Sequence, residues 1–573
     1  MSDLLKDVMK RSIDSEFYSP FPKGYRPGRT KYIVVFGTVI SGIGKGIFAG
    51  SLGKLLRYKG FTISPIKFDG YLNQDAGTLN PYRHGEVFVL EDGTESDMDL
   101  GTYERFLDIN LTKDNYITNG KLFQEILNKE RRGDYLGRDV QVIPHVTGEI
   151  KLFLRKLAVK SKSDIVLFEV GGTVGDLESM FCIEAVRQLM YEEGKENVCA
   201  IAVTYIMEPG FLGEQKSKAA QLGIKSLLSS GIQPDIIACR AKNEVTEKIR
   251  QKISLYSNVE LRDVLSIPDV GSIYFVPEMI RKTGVAESVM KKLKLGSRIS
   301  KKEEESKWQK WSKFTGRIKN PKNRVVIGMF GKYTNLRDSY ASILKALEHA
   351  GANLDTAVEI KWIETTDIEE GKLKVEEALK GIDGALIAPG FGKRGTEGKI
   401  ASIKYIRQKN IPYLGVCYGM QMAIIEFARN VCGLKDANST EIDSRTRHQV
   451  IDILPEQKKI EGLGGNMRLG AKEVLVKKGT MAYELYGRKK MIKERFRHRY
   501  EVNPEYIPLL AKKGMVFSGK HPEYDIMQIM ELPGKRFFVG SQFHPEFTSK
   551  LLHPNPLYLG FVRAALGSGL SKL

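Results

Sequence analysis

At 573 residues, 42% hydrophobic and 28% charged, the chain is too long for one core and has the composition of a globular protein of two or more domains. Its longest apolar run, residues 198–207, is well short of the roughly 20 residues that cross a bilayer, and residues 1–30 have no apolar core of a secretory signal, which excludes a membrane protein. The net charge of +20 invites a nucleic-acid partner, but +9 of it sits within residues 291–323, twelve Lys/Arg against three Glu, and this position argues against one.

Residues 32–36 form a short apolar, β-branched run, the pattern of a buried strand. The chain then passes Gly37, Ser41, Gly42, Gly44, Lys45 and Gly46 and enters Ile47, Phe48, Leu52, Leu55 and Leu56 at helical spacing. Strand, glycine loop and helix turn backbone N–H groups towards an anion, and Lys45 adds charge. The spelling departs from the usual phosphate-loop motif, because Gly46 follows Lys45 and no hydroxyl stands there for magnesium. A tight glycine turn with a solvated lysine is the competing reading.

A second strand, residues 62–67, leads into a polar block with Asp69, Asp75, His84, Glu86, Asp92, Glu95, Asp97 and Asp99. So many acids just past a phosphate loop suit a magnesium ion carrying nucleotide phosphates; an acidic surface loop is the alternative. Residues 129–137 read as an exposed basic turn and residues 140–143 as strand-like. A buried strand at 165–168 ends in Glu169 and a glycine turn, the place where open α/β sheets set their ligands. Further strands are expected at 198–204 and 236–239. Between them residues 213–221 open a helix whose Lys216 and Lys218 meet a triphosphate or are ordinary surface lysines.

The blocks IVVFG…SGIGKGI, KFDGYLNQDAGTLNP, DGTESDMDLGTYERF, KERRGDYLG and FEVGGTVGD, in this order over residues 31–277, resemble the amidoligase domain of the CTP synthase family. The resemblance implies an ATP site at Gly42, Ile43, Gly44, Lys45, Gly46, Ile47, Asp99, Asp269 and Val270, with magnesium on Asp99 and Glu169. It implies UTP contacts at Ser41, Lys216, Ser217, Lys218, Ala219, Ala220, Gln221 and Lys252, and contacts of the feedback inhibitor CTP at Asp176, Leu177 and Glu178. Lys67 matches a family lysine near the phosphates. Gly42, Gly70 and Leu79 depart from the usual serine, proline and methionine.

Residues 291–323, with Gly296, Gly316, Pro321 and a broken apolar pattern, read as a basic linker, a contact with an acidic surface being the alternative. A second α/β alternation follows: strands at 325–329, 358–363 and 385–388, helices at 340–347 and 368–379. Then Gly415-Val416-Cys417-Tyr418-Gly419 joins a strand to a helix, a nucleophile elbow with cysteine in the serine's place. The other four cysteines show no paired spacing, and all five are expected to be reduced thiols of a cytoplasmic protein. Downstream, His544 and Glu546 follow a strand at 537–542, where imidazole takes the thiol proton and carboxylate orients the ring.

This half, residues 324–561, resembles a class I glutamine amidotransferase, including the motifs 438–441, 466–470 and 497–501. The resemblance implies glutamine contacts at Gly390, Tyr418, Gly419, Met420, Gln421, Glu441 and Arg499. Pro389 stands where the family turn usually has a first glycine, which removes an N–H beside the oxyanion site.

The expected architecture is α/β throughout: a P-loop-like parallel-sheet synthetase domain at 1–290, the linker at 291–323 and an α/β class I glutamine amidotransferase domain at 324–573. The implied activity is ATP-dependent amination of UTP to CTP with ammonia from L-glutamine. GTP is implied as activator, with residues 132–136 part of its response, and a homotetramer as the assembly. The rivals are an amidoligase acting on a carboxylate and a nucleotide-binding assembly protein whose glutaminase half is inactive.

Overall fold

The computed structural model describes residues 18–210, 213–332, 337–453 and 467–567; Asn466 of the motif 466–470 and the start of the expected leader-free segment, residues 1–17, lie outside the described residues. The chain runs through β1 (Lys31–Gly37), α1 (Lys45–Tyr58), β2 (Ile63–Asp69), β3 (Val87–Val89), β4 (Glu95–Asp97), α2 (Met98–Leu107), β5 (Tyr116–Thr118) and α3 (Asn119–Arg132). Next come β6 (Ile165–Val170), β7 (Val198–Tyr205), α4 (Lys218–Ser229), β8 (Ile236–Ala241), β9 (Val264–Pro268) and α5 (Lys301–Lys319). The later part holds β10 (Asn323–Gly331), α6 (Ala341–Asn353), β11 (Thr356–Glu364), β12 (Gly384–Ile387), α7 (Thr396–Lys409), β13 (Tyr413–Val416), α8 (Tyr418–Asn430), β14 (Ala437–Ser439) and β15 (His448–Asp452). It closes with β16 (Arg468–Val476), β17 (Met491–His498), β18 (Glu501–Val502), β19 (Val516–Lys520), β20 (Met527–Glu531) and β21 (Phe538–Ser541).

Two compact units emerge: Met1–Thr78 with Thr102–Ser312, and Leu79–Gly101 with Lys313–Leu573. In the first, seven parallel strands take the order β5-β2-β6-β1-β7-β8-β9. Tyr32, Ile33, Val34, Val35 and Phe36 are all fully buried, as a strand covered on both faces requires. β1 lies between β6 and β7, so the glycine loop after β1 and the turn after β6 open on the same sheet edge.

Three local expectations are corrected here. Residues 140–143 are in no strand; residues 142–146 form a kinked turn in which Ile143 keeps extended dihedrals (φ −114°, ψ 122°), and Pro144, without an N–H, cannot continue a ladder. Residues 129–137 are not wholly exposed: Lys129 Nζ reaches the buried Glu149 carboxylate at 2.6 and 2.7 Å, and Tyr135 is buried, while Arg131 and Arg132 remain outside. The basic segment is largely the helix α5 rather than an irregular connector. Trp308 and Trp311, three residues apart on one helical face, are buried, and Trp311 Nε1 donates to the Tyr274 carbonyl at 3.1 Å. Lys301, Lys302 and Lys310 stay exposed, and Lys307 pairs with Glu303 at 2.9 Å.

In the second unit a nine-stranded sheet takes the order β11-β10-β12-β13-β21-β20-β19-β16-β17. The first five strands are parallel and the rest antiparallel. The helix expected over 368–379 is instead two short helices, Thr365–Glu369 and Val375–Ala378. Gly371, at φ +73°, breaks the turn between them. The hairpin β3–β4 also belongs to this unit. A Cβ on Gly470 would lie 2.5 Å from the Gly93 nitrogen, so the two backbones meet at glycine. Glu91 pairs with Lys493 at 2.6 Å and Glu95 with Arg497 at 2.7 Å, so Glu95, one of the acids expected near a cation, is spent instead on β17.

Candidate active sites

In the first unit the glycine loop wraps a buried lysine. Gly42 and Gly44 adopt φ of +69° and +85°, and Gly44 precedes the first turn of α1. Lys45 is buried, not solvated, and its Nζ donates to the Gly172 carbonyl at 2.8 Å. A side chain on Gly37 would collide with that ammonium, which explains the glycine at the strand end. The Val174 N–H donates to the Gly37 carbonyl at 2.8 Å, closing the β6 turn on the loop. Glu169, in register with Val35 of β1 and Lys67 of β2, is 1% exposed and accepts a hydrogen bond from Tyr103 of α2 at 2.6 Å. Lys67 lies 3.6 Å from Asp69. One sheet edge thus brings together two buried cations and two buried carboxylates.

Around this edge stand the other expected contacts. Asp269 is held by Arg240 at 2.7 Å, and Arg240 also faces Gly44. Sequence reasoning missed Arg240; its place at the end of β8 was the available signal. Val270 is exposed beside it. Asp176 Oδ2 accepts the Thr173 N–H at 2.7 Å, Leu177 is exposed, and the Glu178 side chain packs against Gly70. Gly70 therefore admits Glu178 at close range.

A cavity of about 1060 Å³ is lined by Lys216, Ser217, Lys218 and Gln221 at the start of α4, with Lys252. Lys242 and Lys248, which sequence reasoning did not single out, add two cations to the same wall. Lys216 pairs with Glu214, Gln221 Nε2 donates to Ser217 Oγ at 3.3 Å, and Ala220 is buried while Ala219 is half-buried. Ser41 is exposed on the glycine loop. Asp99, at the start of α2, is counted with the second unit, and its N–H donates to Asp97 Oδ1 at 2.8 Å.

In the second unit the elbow is forced by close approach. A Cβ on Gly419 would lie 2.4 Å from the Ile387 carbonyl oxygen, and one on Gly415 would lie 2.4 Å from Tyr413 Oη. Between them Cys417 takes φ +50°, ψ −101°, a strained conformation costing on the order of 1–3 kcal/mol. The strain puts the sulfur at the N-terminus of α8. His544 Nδ1 lies 2.7 Å from Glu546 Oε1, and its Nε2 has no hydrogen-bond partner among the described residues. Burial disfavours a charged imidazole, but Glu546 and the Cys417 sulfur outweigh it and raise His544 to about 10.

The turn at 389–392 is gripped from several sides. Glu441 accepts the Gly392 N–H at 2.8 Å, Tyr418 Oη donates to the Gly392 carbonyl at 2.6 Å, and Lys332 Nζ donates to the Phe391 carbonyl. Burial raises Glu441, while Gly392, Lys332, Arg499 and Lys399 pull it back. Gly390 faces the Tyr418 ring, and Met420 is buried in α8. Gln421 directs its side chain inward, donating to the Tyr500 carbonyl at 2.9 Å and to Gln542 Oε1 at 3.2 Å. Gln542 in turn donates to Cys417 Sγ at 3.5 Å, a contact that sequence reasoning missed two residues before His544.

Two families match along the chain, with residues 79–101 inside the first match although they belong to the second unit. The family described as CTP synthase N-terminus matches residues 31–295, and the one described as glutamine amidotransferase class-I matches residues 335–564. The chain is 50% identical over 543 residues to the CTP synthase of Methanocaldococcus jannaschii, covering 94% of this chain and 98% of that one. It is 50% identical over 537 residues to the CTP synthase of Pyrococcus abyssi and 49% over 536 residues to that of Caldanaerobacter subterraneus, each with 94% and 98% coverage.

Proposed function

The chain belongs to the CTP synthase family, whose reaction is the glutamine-dependent conversion of UTP to CTP, and from that premise we propose how its residues divide the work. In the first unit the glycine loop and Lys45 bind the phosphates of ATP, and O4 of UTP is the phosphoryl acceptor. Magnesium is part of this reading. Glu169 and, as the family resemblance implies, Asp99 would hold it through hard carboxylate oxygens, and the buried Glu169, oriented by Tyr103, fits such an ion. When bound, the ion would supply charge neutralisation for the transferring phosphoryl group. Lys45 stabilises the same negative charge, and Lys216, Lys218 and Lys252 hold the UTP phosphates.

In the second unit the Cys417 thiolate attacks the carboxamide carbon of glutamine, and the carbonyl π pair moves to oxygen. The Tyr418 and Gly390 N–H groups receive that oxyanion. As it collapses, the C–N bond breaks, His544 gives its Nε2 proton to the leaving ammonia, and a thioester remains for water to hydrolyse. Glu441 and Arg499 match the substrate's ammonium and carboxylate. The ammonia displaces phosphate at C4, which leaves CTP, ADP and phosphate.

The family relationship further supports GTP as activator, CTP as inhibitor at Asp176, Leu177 and Glu178, and a homotetramer. A cytoplasmic setting is also proposed; among the described residues no helix is long and apolar enough to cross a membrane. The observation that carries the function is the pairing of a buried phosphate-loop lysine and a buried Cys417–His544–Glu546 set in one chain. The test is CTP formation from UTP and ATP with ammonia and with glutamine as alternative donors. Both are expected to support turnover; failure with ammonia overturns the ligase assignment, and failure with glutamine alone overturns the glutaminase.

A further inference from the structure

Lys399 is a cation that the proposed chemistry leaves unused. It lies in the first turn of α7 and is 1% exposed, and its ammonium makes no hydrogen bond or ion pair among the described residues. Nζ sits 4.9 Å from the centre of the Tyr418 ring and 3.4 Å from where a Cβ on Gly390 would stand. Two features of this place oppose a positive charge. Burial removes water from it, and the helix N-terminus presents like-signed partial charge. A side chain of methionine's shape would fill the same space without either cost.

What the position offers is its neighbours. On the glutaminase reading Gly390 and Tyr418 supply the N–H groups for the developing oxyanion, and the Lys399 ammonium stands against the Tyr418 ring and the Gly390 backbone. Lys332, also nearby, is already spent on the Phe391 carbonyl. We propose that Lys399 is a positioning residue of the glutaminase oxyanion hole, holding the Gly390 turn against Tyr418 and placing positive charge that forms no ion pair behind the anion they receive. The inference rests on the glutaminase reading of Cys417, Gly390 and Tyr418.

The charge is also tunable. Burial first and Lys332 second lower Lys399 to about 7, against the opposing pull of Glu364, Glu441 and Glu369. The ammonium is therefore present below about pH 7 and lost above it, so its contribution fades as pH rises.

The test is Lys399→Met in the full-length enzyme, with Lys399→Gln as the substitute if the methionine variant loses ammonia-driven CTP formation and so is not folded. Glutamine kcat is expected to fall about 10–100-fold near pH 6.5, with KM changed less than about threefold, and the wild-type to variant ratio should shrink towards pH 8.5. Alkylation of Cys417 by iodoacetamide, which forms no oxyanion, should keep its wild-type rate. Equal kcat at pH 6.5, or a parallel loss of alkylation and turnover, overturns the proposal. If the glutaminase reading itself is wrong, the wild type will not hydrolyse glutamine at all, which is a different result.

Discussion

The two units each turn a parallel strand into a helix through glycines, yet they differ in how much of their charge is exposed. The loop of the first unit parks Lys45 on a backbone carbonyl, and its further lysines line an open cavity. The elbow of the second unit has its charges already assembled: His544 on Glu546 and Lys399 behind Gly390 are buried, and Glu441 is half-buried on the turn. The ligands explain the difference. Nucleotide phosphates arrive fully charged, so the exposed Lys218, Lys242, Lys248 and Lys252 of that cavity can wait for them at little cost, and only Lys45 and Lys67 of this unit's site are buried. The glutaminase oxyanion exists only near the transition state, so its stabilising groups must be preorganised where water is absent.

The sharpest way to separate the units is Cys417→Ala. Glutamine-driven CTP formation should fall by more than about 10³-fold, while the ammonia-driven rate stays within about twofold in a steady-state assay. A comparable loss with both donors would show that the sulfur also serves the first unit. The converse experiment removes a carboxylate. Glu169→Ala and Asp99→Ala should each reduce ammonia-driven synthesis by at least about 10²-fold, with glutamine hydrolysis still measurable; near-normal ligase rates would break the magnesium assignment.

A smaller change addresses Pro389. If Gly390 is the donor, Pro389→Gly should alter glutamine kcat less than about threefold. A gain on the order of 10²–10³ would mean that the missing N–H had disabled the hole.

Preassembly also has a pH signature. A histidine raised from 6.5 to about 10 adds stability that is fully present below about pH 6.5 and is lost as pH rises through 10. Urea midpoints of the wild type should therefore decline over that window more steeply than those of Glu546→Gln, and parallel curves would deny the charged pair. The least effect is expected on α5. Neutralising Lys301, Lys302, Lys307 and Lys310 together should leave kcat near wild type and cost a few tenths of a kcal/mol through the Glu303 pair. Loss of salt-sensitive binding to an RNA probe in that variant would instead reveal a nucleic-acid contact.

Order along the chain was enough to read the glycine loop, the strand ending at Glu169, the elbow at Cys417 and the downstream His544 and Glu546. Each of these is a local motif whose chemistry follows from neighbours a few residues apart. The strand periods around them were legible for the same reason: a run buried on both faces must be apolar throughout. Breaks were harder, since Gly371 splits an otherwise helical pattern and the tryptophans of α5 acquire their role only against Tyr274. Partners distant in sequence were not legible at all. Nothing near Glu91 or Glu95 announces Lys493 and Arg497, about 400 residues away, and nothing near Arg240 announces Gly44. Lys399 reads as one more surface lysine of a charged helix. Only the packing of α7 beneath the Gly390 turn buries it without an ion-pair partner among the described residues, because burial is a property of what the whole chain folds around a residue and not of the residue's own neighbours in sequence.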